Sequence, residues 1–202
     1  MKIILLSEMS RVADRVTAEL ADLAAGRVLI IDSASPGVDT PEKPRGGTAV
    51  AAYRDRGASV RVADYAETGP IDLSDYDVVH FTGGDPFRLL VACQSVGFAE
   101  AAAERAADGD FAVVGSSAGA MVMGRYVGHA AILCDPFGIE SLDGFGWVDG
   151  LVMPHMDAEG RTGDVIRNHV HRNPGRDWVE LNDNDVMVRE IDLSAEASPQ
   201  PS

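Results

Sequence analysis

The chain has 202 residues, enough for one domain with a substantial core and too few for two comfortable ones. Its hydrophobic content of 46% and charged content of 24% are ordinary for a globular protein. The formal net charge of −15 is spread along the chain without long runs, which argues against nucleic acid or an anionic membrane as the main partner.

The first strand is predicted at the N-terminus, where the apolar run Lys2–Leu6 is too short for a signal peptide. No segment of the sequence approaches the length of a membrane span. The 2 cysteines, Cys93 and Cys134, have neither a metal-ligand spacing nor a disulfide framework. Together these features predict a reduced, cytoplasmic protein.

Short apolar strands alternate with helical patterns through the first half of the chain. Ser10 is the predicted N-cap of a helix that runs to about Ala25, and the strand Val28–Ile31 follows. A loop rich in Pro, Gly and Ser, residues 33–47, is expected to lie over the open end of the sheet. The next predicted elements are a helix at 48–56, strands at Ser59–Ala63 and Tyr76–Phe81, a helix from Phe87 and a helix over 98–108. This alternation predicts an α/β fold with a mainly parallel sheet, whose ligand site lies beyond the carboxyl ends of the strands.

The next stretch, residues 111–124, predicts a strand, a sharp turn and a helix. Phe111–Val114 is the apolar strand, and the turn Gly115–Gly119 carries a Gly-x-Ser-x-Gly pattern. A serine on such a turn projects its hydroxyl clear of the sheet, and small neighbours allow the backbone to pack closely. An ordinary small-residue turn is the alternative, but the flanking strand and helix favour the functional interpretation. Ser117 is therefore the candidate nucleophile, whereas Ser116 is expected to face the sheet.

Acyl transfer at a serine also requires hydrogen-bond donors for the developing oxyanion. The backbone N–H of Ala118, directly after the candidate nucleophile, is one such donor. The turn Gly83–Gly84 offers the second, because glycine allows the backbone to approach a ligand closely. The alternative is that this Gly-Gly-Asp-Pro segment is merely a loop that leads into a helix.

A reactive serine also needs a base, and the chain has 5 histidines. Only His155 directly follows a predicted buried strand, Leu151–Met153, at the end of the sheet where Ser117 is expected. The other histidines are interpreted as a core residue (His80), a residue of a Gly-rich connector without a companion (His129) and solvated residues of a charged helix at 163–171 (His169 and His171).

The acid that would orient the base cannot be chosen from spacing alone. The available carboxylates after the turn are Asp135, Asp143, Asp149, Asp157, Asp183 and Asp185. A final strand pair is predicted at Trp178–Leu181 and Val186–Ile191, joined by a turn at 182–185. The tail from residue 194 is rich in Ser, Ala and Pro and is predicted to be disordered, which leaves one domain over residues 1–193.

Three blocks of the sequence resemble a known family. Residues 81–90 carry Gly-Gly-Asp-x-Phe-x-Leu-Leu, residues 115–120 carry Gly-x-Ser-Ala-Gly-Ala, and residues 153–155 end in Pro-His. In these blocks, and in their order and spacing over about residues 1–190, the chain resembles the peptidase E (aspartyl dipeptidase) and cyanophycinase family of serine peptidases. The resemblance implies a class I glutamine amidotransferase-like, flavodoxin-like fold, which is a three-layer α/β/α sandwich with a mainly parallel central sheet.

The resemblance also implies roles for individual residues. Ser117 would be the nucleophile, His155 the base, and Gly84 and Ala118 the oxyanion donors. The family's acid lies in a late turn, where Asp183 matches a position that is Glu in the best-known dipeptidases. The predicted substrate-binding residues are Asp135 for the ammonium group, Arg161 for an acidic side chain, and Asp85.

The function that this resemblance implies is hydrolysis of short peptides from a free N-terminus, N-terminal Asp dipeptides among them, without cofactor or metal. A homodimer is compatible with the sequence. Two alternatives remain open at this stage. One is an esterase of α/β-hydrolase type that uses Ser117, Asp135 and His155. The other is a non-catalytic binding module that keeps the turn as a ligand nest.

Overall fold

The computed structural model describes residues 1–35, 46–136 and 138–193. The tail from residue 194, predicted to be disordered, and most of the loop predicted at 33–47 lie outside these residues. Within the described ranges, no helix combines the length and the apolar character that crossing a bilayer requires.

The centre of the molecule is a six-stranded sheet. The strands of the structure are β1 (Lys2–Leu6), β2 (Arg27–Ile31), β3 (Ser59–Ala63), β4 (Val78–Phe81), β5 (Ala112–Ser116), β6 (Leu151–Met153), β7 (Trp178–Glu180) and β8 (Val186–Glu190). The order in the large sheet is β3-β2-β4-β5-β1-β8, and β6 and β7 form a separate two-stranded sheet. Strands β1 to β5 pair in parallel, and only β8 pairs antiparallel, with β1. The predicted α/β fold with a mainly parallel sheet is confirmed.

Helices cover both faces of this sheet because its inner strands are apolar on both sides. The helices are α1 (Met9–Leu20), α2 (Gly47–Asp55), α3 (Tyr65–Thr68), α4 (Pro86–Ser95), α5 (Phe98–Ala107), α6 (Ala118–Val122) and α7 (Gly160–Arg172). Alternate residues of β1 show the division: Ile4 and Leu6 pack with α1 and α2, whereas Ile3 and Leu5 belong to the core that includes α4, α5 and α6. This is the three-layer sandwich that the family resemblance implies.

The first helix differs from its prediction at both ends. Glu8, and not Ser10, is the N-cap, and its carboxylate accepts the backbone N–H of Ser10 at 3.2 Å. The α-helix ends at Leu20, because Ala21 adopts a positive φ of 48°, and a 3₁₀ turn completes the segment to Ala25. The N-terminus of the helix therefore begins directly after β1, at the carboxyl edge of the sheet.

The two predicted final strands are present, but their predicted pairing with each other is wrong. Strand β7 pairs in parallel with β6, with Leu151 opposite Trp178, whereas β8 pairs with β1, with Leu6 opposite Val186. The turn at 182–185 therefore carries the chain from one sheet to the other instead of closing a hairpin. This crossing brings the turn to the end of β1, beside the carboxyl edge where the candidate site lies.

Candidate active site

Ser117 lies on the sharp turn between β5 and α6, with φ 49° and ψ −107°. A residue other than glycine rarely adopts such a conformation. The two glycines of the pattern permit it: a Cβ on Gly119 would lie 2.6 Å from the carbonyl oxygen of Phe81, and one on Gly115 would collide with the backbone of Gly119. The N–H of Ser117 donates to the carbonyl oxygen of Leu6 at 2.9 Å. The predicted strand, turn and helix are thus present, and they hold the serine in a strained conformation.

The side chains of Ser117, His155 and Asp183 form one chain of hydrogen bonds. Ser117 Oγ lies 2.9 Å from His155 Nε2, and His155 Nδ1 lies 2.6 Å from Asp183 Oδ1. The carboxylate accepts the Nδ1–H, which leaves the Nε2 lone pair directed at the serine hydroxyl. The imidazole is 27% exposed and the carboxylate 13%, so the site is open to a substrate on the histidine side.

Ser7 connects the segments that carry His155 and Asp183. It is buried directly after β1, and its hydroxyl accepts the N–H of His155 at 3.1 Å and donates to the carbonyl oxygen of Leu181 at 3.0 Å. His155 itself has a φ of 62°, so its backbone is strained and needs such support. The sequence analysis missed Ser7. The available signal was a small polar residue directly after the apolar run Ile3–Leu6.

Two further aspartates organise the turn that carries Asp183. The carboxylate of Asp157 accepts the N–H of Asp183 at 2.7 Å, and that of Asp185 accepts the N–H of Asn182 at 2.7 Å. Arg11 Nε lies 4.0 Å from Asp183 Oδ2, on the side away from the histidine. Of the six aspartates left open by the sequence, Asp183 is the one hydrogen-bonded to His155 in the described part of the chain.

The Gly83–Gly84 turn lies against the serine. A Cβ on Gly83 would lie 3.2 Å from Ser117 Cβ, and Gly84 has a φ of 140° that glycine adopts without strain. A side chain on Gly84 would also collide with the carbonyl oxygen of Ala34 and the hydroxyl of Ser35. Among the described residues, the N–H groups of Gly84 and Ala118 have no hydrogen-bond acceptor. Their role as oxyanion donors stays a prediction.

The three predicted substrate-binding residues lie in different surroundings. Asp85 is the N-cap of α4, where its carboxylate accepts the N–H groups of Phe87 at 2.9 Å and Arg88 at 3.2 Å. Asp135 and Arg161 are exposed, and neither lines the two cavities at Ser117. Roles for these residues in substrate binding stay predictions.

Two cavities meet at Ser117, Gly84 and His155. The larger, the cleft, has a volume of about 470 Å³ and lies over the carboxyl ends of β1, β2 and β4, with a lining that includes Ser7, Glu8, Asp32, Ser35, Thr48, His80 and Thr82. The smaller, the recess, has a volume of about 60 Å³ and is lined by Pro86, Met121, Ala130, Ile132, Leu133, Cys134, Met153, Pro154 and Ile166. The candidate nucleophile thus lies between a cleft that includes several polar side chains and an apolar recess.

His80 and Ser116 form a second, fully buried network beside the site. His80 Nε2 lies 2.8 Å from Ser116 Oγ, and its Nδ1 lies 3.0 Å from the hydroxyl of Tyr53 on α2. Burial lowers the pKa of His80 from 6.5 to about 3, so the imidazole is neutral. Ser116 thus faces the sheet and His80 belongs to the core, as predicted, and Ser116 makes no hydrogen bond to His155.

Two other histidines differ from their predictions. His129, predicted to have no companion, is buried, with Nε2 2.9 Å from the carbonyl oxygen of Val152. His169, predicted to be solvated, is half-buried. The imidazole rings of His129 and His169 both contact the indole of Trp178 edge to face, at centroid distances of 5.5 and 5.6 Å. Within the described ranges, no group of His, Cys, Asp and Glu side chains is arranged to hold a metal ion.

The sequence of this chain matches the family model described as Peptidase family S51 over residues 4–194. The chain belongs to peptidase family S51. It is therefore a peptidase, and hence a hydrolase. No curated protein sequence matches it.

Solved structures show that the fold of this S51 peptidase recurs in other peptidases. A protein from Listeria monocytogenes EGD-e that carries the name peptidase E superposes with a TM-score of 0.76 at 19% identity, covering 94% of this chain and 98% of its own. A peptidase from an acI-B1 Actinobacterium superposes with a TM-score of 0.67 at 18% identity, covering 93% of this chain and 82% of its own. At these identities the likeness establishes the shared α/β sandwich alone. The substrate must be inferred from the chemistry of the site.

Proposed function

We propose that this S51 peptidase hydrolyses short peptides through an acyl-enzyme on Ser117, with His155 as general base and Asp183 as the orienting acid. The observation that carries the proposal is the hydrogen-bond chain of 2.9 and 2.6 Å that links the three side chains. Its serine stands on a strained turn, where the hydroxyl is held in place for attack.

The mechanism follows from the direction of these hydrogen bonds. As Ser117 Oγ attacks the peptide carbonyl, its proton passes to His155 Nε2, and the carboxylate of Asp183 stabilises the imidazolium. The N–H groups of Gly84 and Ala118 bind the oxyanion of the tetrahedral intermediate. The imidazolium then protonates the leaving amine, and the acyl-enzyme remains on Ser117. A water molecule that gives its proton to His155 completes hydrolysis in the same way.

The size of the cleft favours short substrates. A volume of about 470 Å³ lies in the range of small-molecule sites, so it accommodates a few residues and no folded chain. Glu8 contributes a carboxylate to the lining, which supports binding of a free ammonium group. The described lining of the cleft contains no Lys or Arg that could pair with an acidic side chain.

The geometry favours this function over the esterase alternative. That alternative assigned the acid to Asp135, which is exposed and lines neither cavity, whereas Asp183 is in hydrogen-bond contact with His155. In addition, β7 and β8 both follow His155, while the base of an α/β-hydrolase usually follows the last strand. The family match supports a peptidase over a non-catalytic binding module.

The kinetic test uses a panel of dipeptides and an N-acetylated counterpart of each. We expect a burst of amine product before the steady state, and slower hydrolysis of the acetylated peptides. Ser117→Ala and His155→Ala should each lower kcat by about 10⁴–10⁶, and the double variant should be little worse than either. Ser116→Ala is the matched control and should lower kcat far less. A collapse of kcat in Ser116→Ala with Ser117→Ala active would contradict the assignment.

A further inference from the structure

We infer that the recess is the subsite for the P1 side chain, and that it takes an aliphatic side chain such as that of Val, Leu or Met and rejects Asp. This inference rests on the proposed function, because it assumes that a peptide carbonyl is attacked at Ser117. It adds the substrate class: peptides whose N-terminal residue is aliphatic.

The first argument is the chemistry of the lining. Met121, Met153 and Ile166 form its buried wall. Leu133, also part of the lining, is 49% exposed. An aliphatic side chain in the recess would cover it and remove apolar surface from water on both partners.

The second argument is size. About 60 Å³ of cavity admits roughly four to six water-sized groups, since one water needs about 10–15 Å³ on this measure. A leucine side chain has four heavy atoms and an aspartate side chain also has four, with the same branching. Size therefore admits both, and it disfavours phenylalanine, whose side chain has seven.

The third argument, charge, separates leucine from aspartate. The described residues of the recess include no Lys or Arg. Arg167, on the neighbouring helix α7, already donates to the carbonyl oxygens of Met156 and Ala158 and pairs with Asp164 at 2.8 Å. A carboxylate in the recess would thus lose its hydration without gaining a cation, which is costly.

Asp85 adds to this discrimination. Its carboxylate caps α4 between two residues of the recess lining, Gly84 and Pro86. Burial, and then the negative charge of Asp85, raise the pKa of the Cys134 thiol in the recess. A second negative charge on the substrate would be repelled.

The shapes of the two cavities assign the recess to P1 and not to the leaving group. The side chain of the attacked residue stays bound while the acyl-enzyme exists, whereas the amine must leave and water must enter. The cleft, about 470 Å³ in volume, provides room for that exchange, and the recess, with about 60 Å³, does not. We therefore place the leaving amine and the water in the cleft.

The test compares aminoacyl p-nitroanilides, which share one leaving group and differ only at P1. We expect kcat/KM to be highest for Leu, Val and Met, lower for Ala and Phe, and at least about 100-fold lower for Asp than for Leu. Asn, uncharged and of the same shape, should fall between Leu and Asp. A kcat/KM for Asp equal to or above that for Leu, in an enzyme that Ser117→Ala inactivates, overturns the recess assignment and leaves the proposed function intact.

A pair of arginine variants tests the location of the subsite. Leu133→Arg introduces a cation at the recess and should raise the ratio of Asp to Leu turnover at least about 10-fold. Val91→Arg is the matched control, because Val91 on α4 is also an exposed apolar residue, 40% exposed, but lines neither cavity. An unchanged ratio in Leu133→Arg, with correct folding by circular dichroism, places P1 elsewhere. If no dipeptide or anilide is hydrolysed at all, the proposed function fails, and this inference fails with it.

Discussion

Among single residues, Ser7 connects the two segments of the candidate site that carry His155 and Asp183. Its one hydroxyl bonds both the backbone of His155 and the carbonyl oxygen of Leu181, two residues before Asp183. Loss of this hydroxyl would leave the strained φ of His155 and the position of the acid without their common support. Ser7 is therefore a positioning residue.

Ser7→Ala should lower kcat by about 10–100-fold and change KM little, because small displacements of catalytic groups are costly. It should also cost about 1–3 kcal/mol of stability, since two buried backbone groups lose their partner. Thr17→Val is the control: it too removes a buried hydroxyl, one that bonds only within α1, at Ala13 and Asp14, among the described residues. Steady-state kinetics and urea unfolding of both variants are the measurements. Equal kcat values in the two variants would show that Ser7 serves stability alone.

Asp183 and Asp185 lie two residues apart in one turn but have different partners. Asp183→Asn should lower kcat by up to about 10⁴ with little change in KM, because an amide cannot fix the imidazole tautomer or stabilise the imidazolium. Asp185→Asn should leave kcat nearly unchanged, since that carboxylate bonds only the N–H of Asn182 among the described residues. A collapse of kcat in Asp185→Asn or Asp135→Asn, with Asp183→Asn active, would show that the acid is misassigned.

At the scale of elements, the buried network of Tyr53, His80 and Ser116 joins α2, β4 and β5 next to the serine turn. Because burial holds the pKa of His80 at about 3, against an ordinary value of 6.5, the unfolded chain binds a proton between these pH values and the folded chain does not. The contribution of His80 to stability is therefore complete above pH 6.5 and is lost as the pH falls toward 3.

This linkage predicts a difference between the wild-type protein and His80→Gln. On lowering the pH from 6.5 to 5, the wild-type protein should lose up to about 2 kcal/mol more unfolding free energy than the variant, whose residue 80 does not titrate. Urea unfolding at several pH values measures both slopes, and the carboxylates common to the two proteins cancel in the comparison. Parallel slopes would mean that His80 is protonated or accessible in the folded state.

At the scale of the whole molecule, the parts of the site that could be predicted are those fixed by sheet topology. Apolar runs that alternate with helices predict parallel strands, and the carboxyl ends of parallel strands share one edge. Gly84 and Ser117 follow β4 and β5 of the central sheet, so their convergence followed from the sequence. His155 follows β6, which belongs to the separate two-stranded sheet, so its position beside Ser117 did not follow from this rule. The two glycines around Ser117 also have the predicted cause, close backbone packing.

The acid and its supports depend on tertiary structure that no local pattern reveals. The turn at 182–185 has the same chemistry whether it closes a hairpin or crosses between sheets, and the sequence favoured the hairpin. Spacing therefore left six aspartates as candidates for the acid, and only the family resemblance selected Asp183. The crossing between the two sheets brings Asp183 to His155. Ser7 was missed because its partners are 148 and 174 residues away. The lining of the recess could not be predicted from the sequence either, because it combines side chains from separate segments.

The central claim is that Ser117 is a nucleophile activated by His155, and covalent labelling tests it most directly. A fluorophosphonate should add once per chain, and peptide mapping by mass spectrometry should place the adduct on Ser117. His155→Ala should label far more slowly, and Ser117→Ala should not label. An adduct on Ser116, or no adduct on a folded protein, would contradict the account.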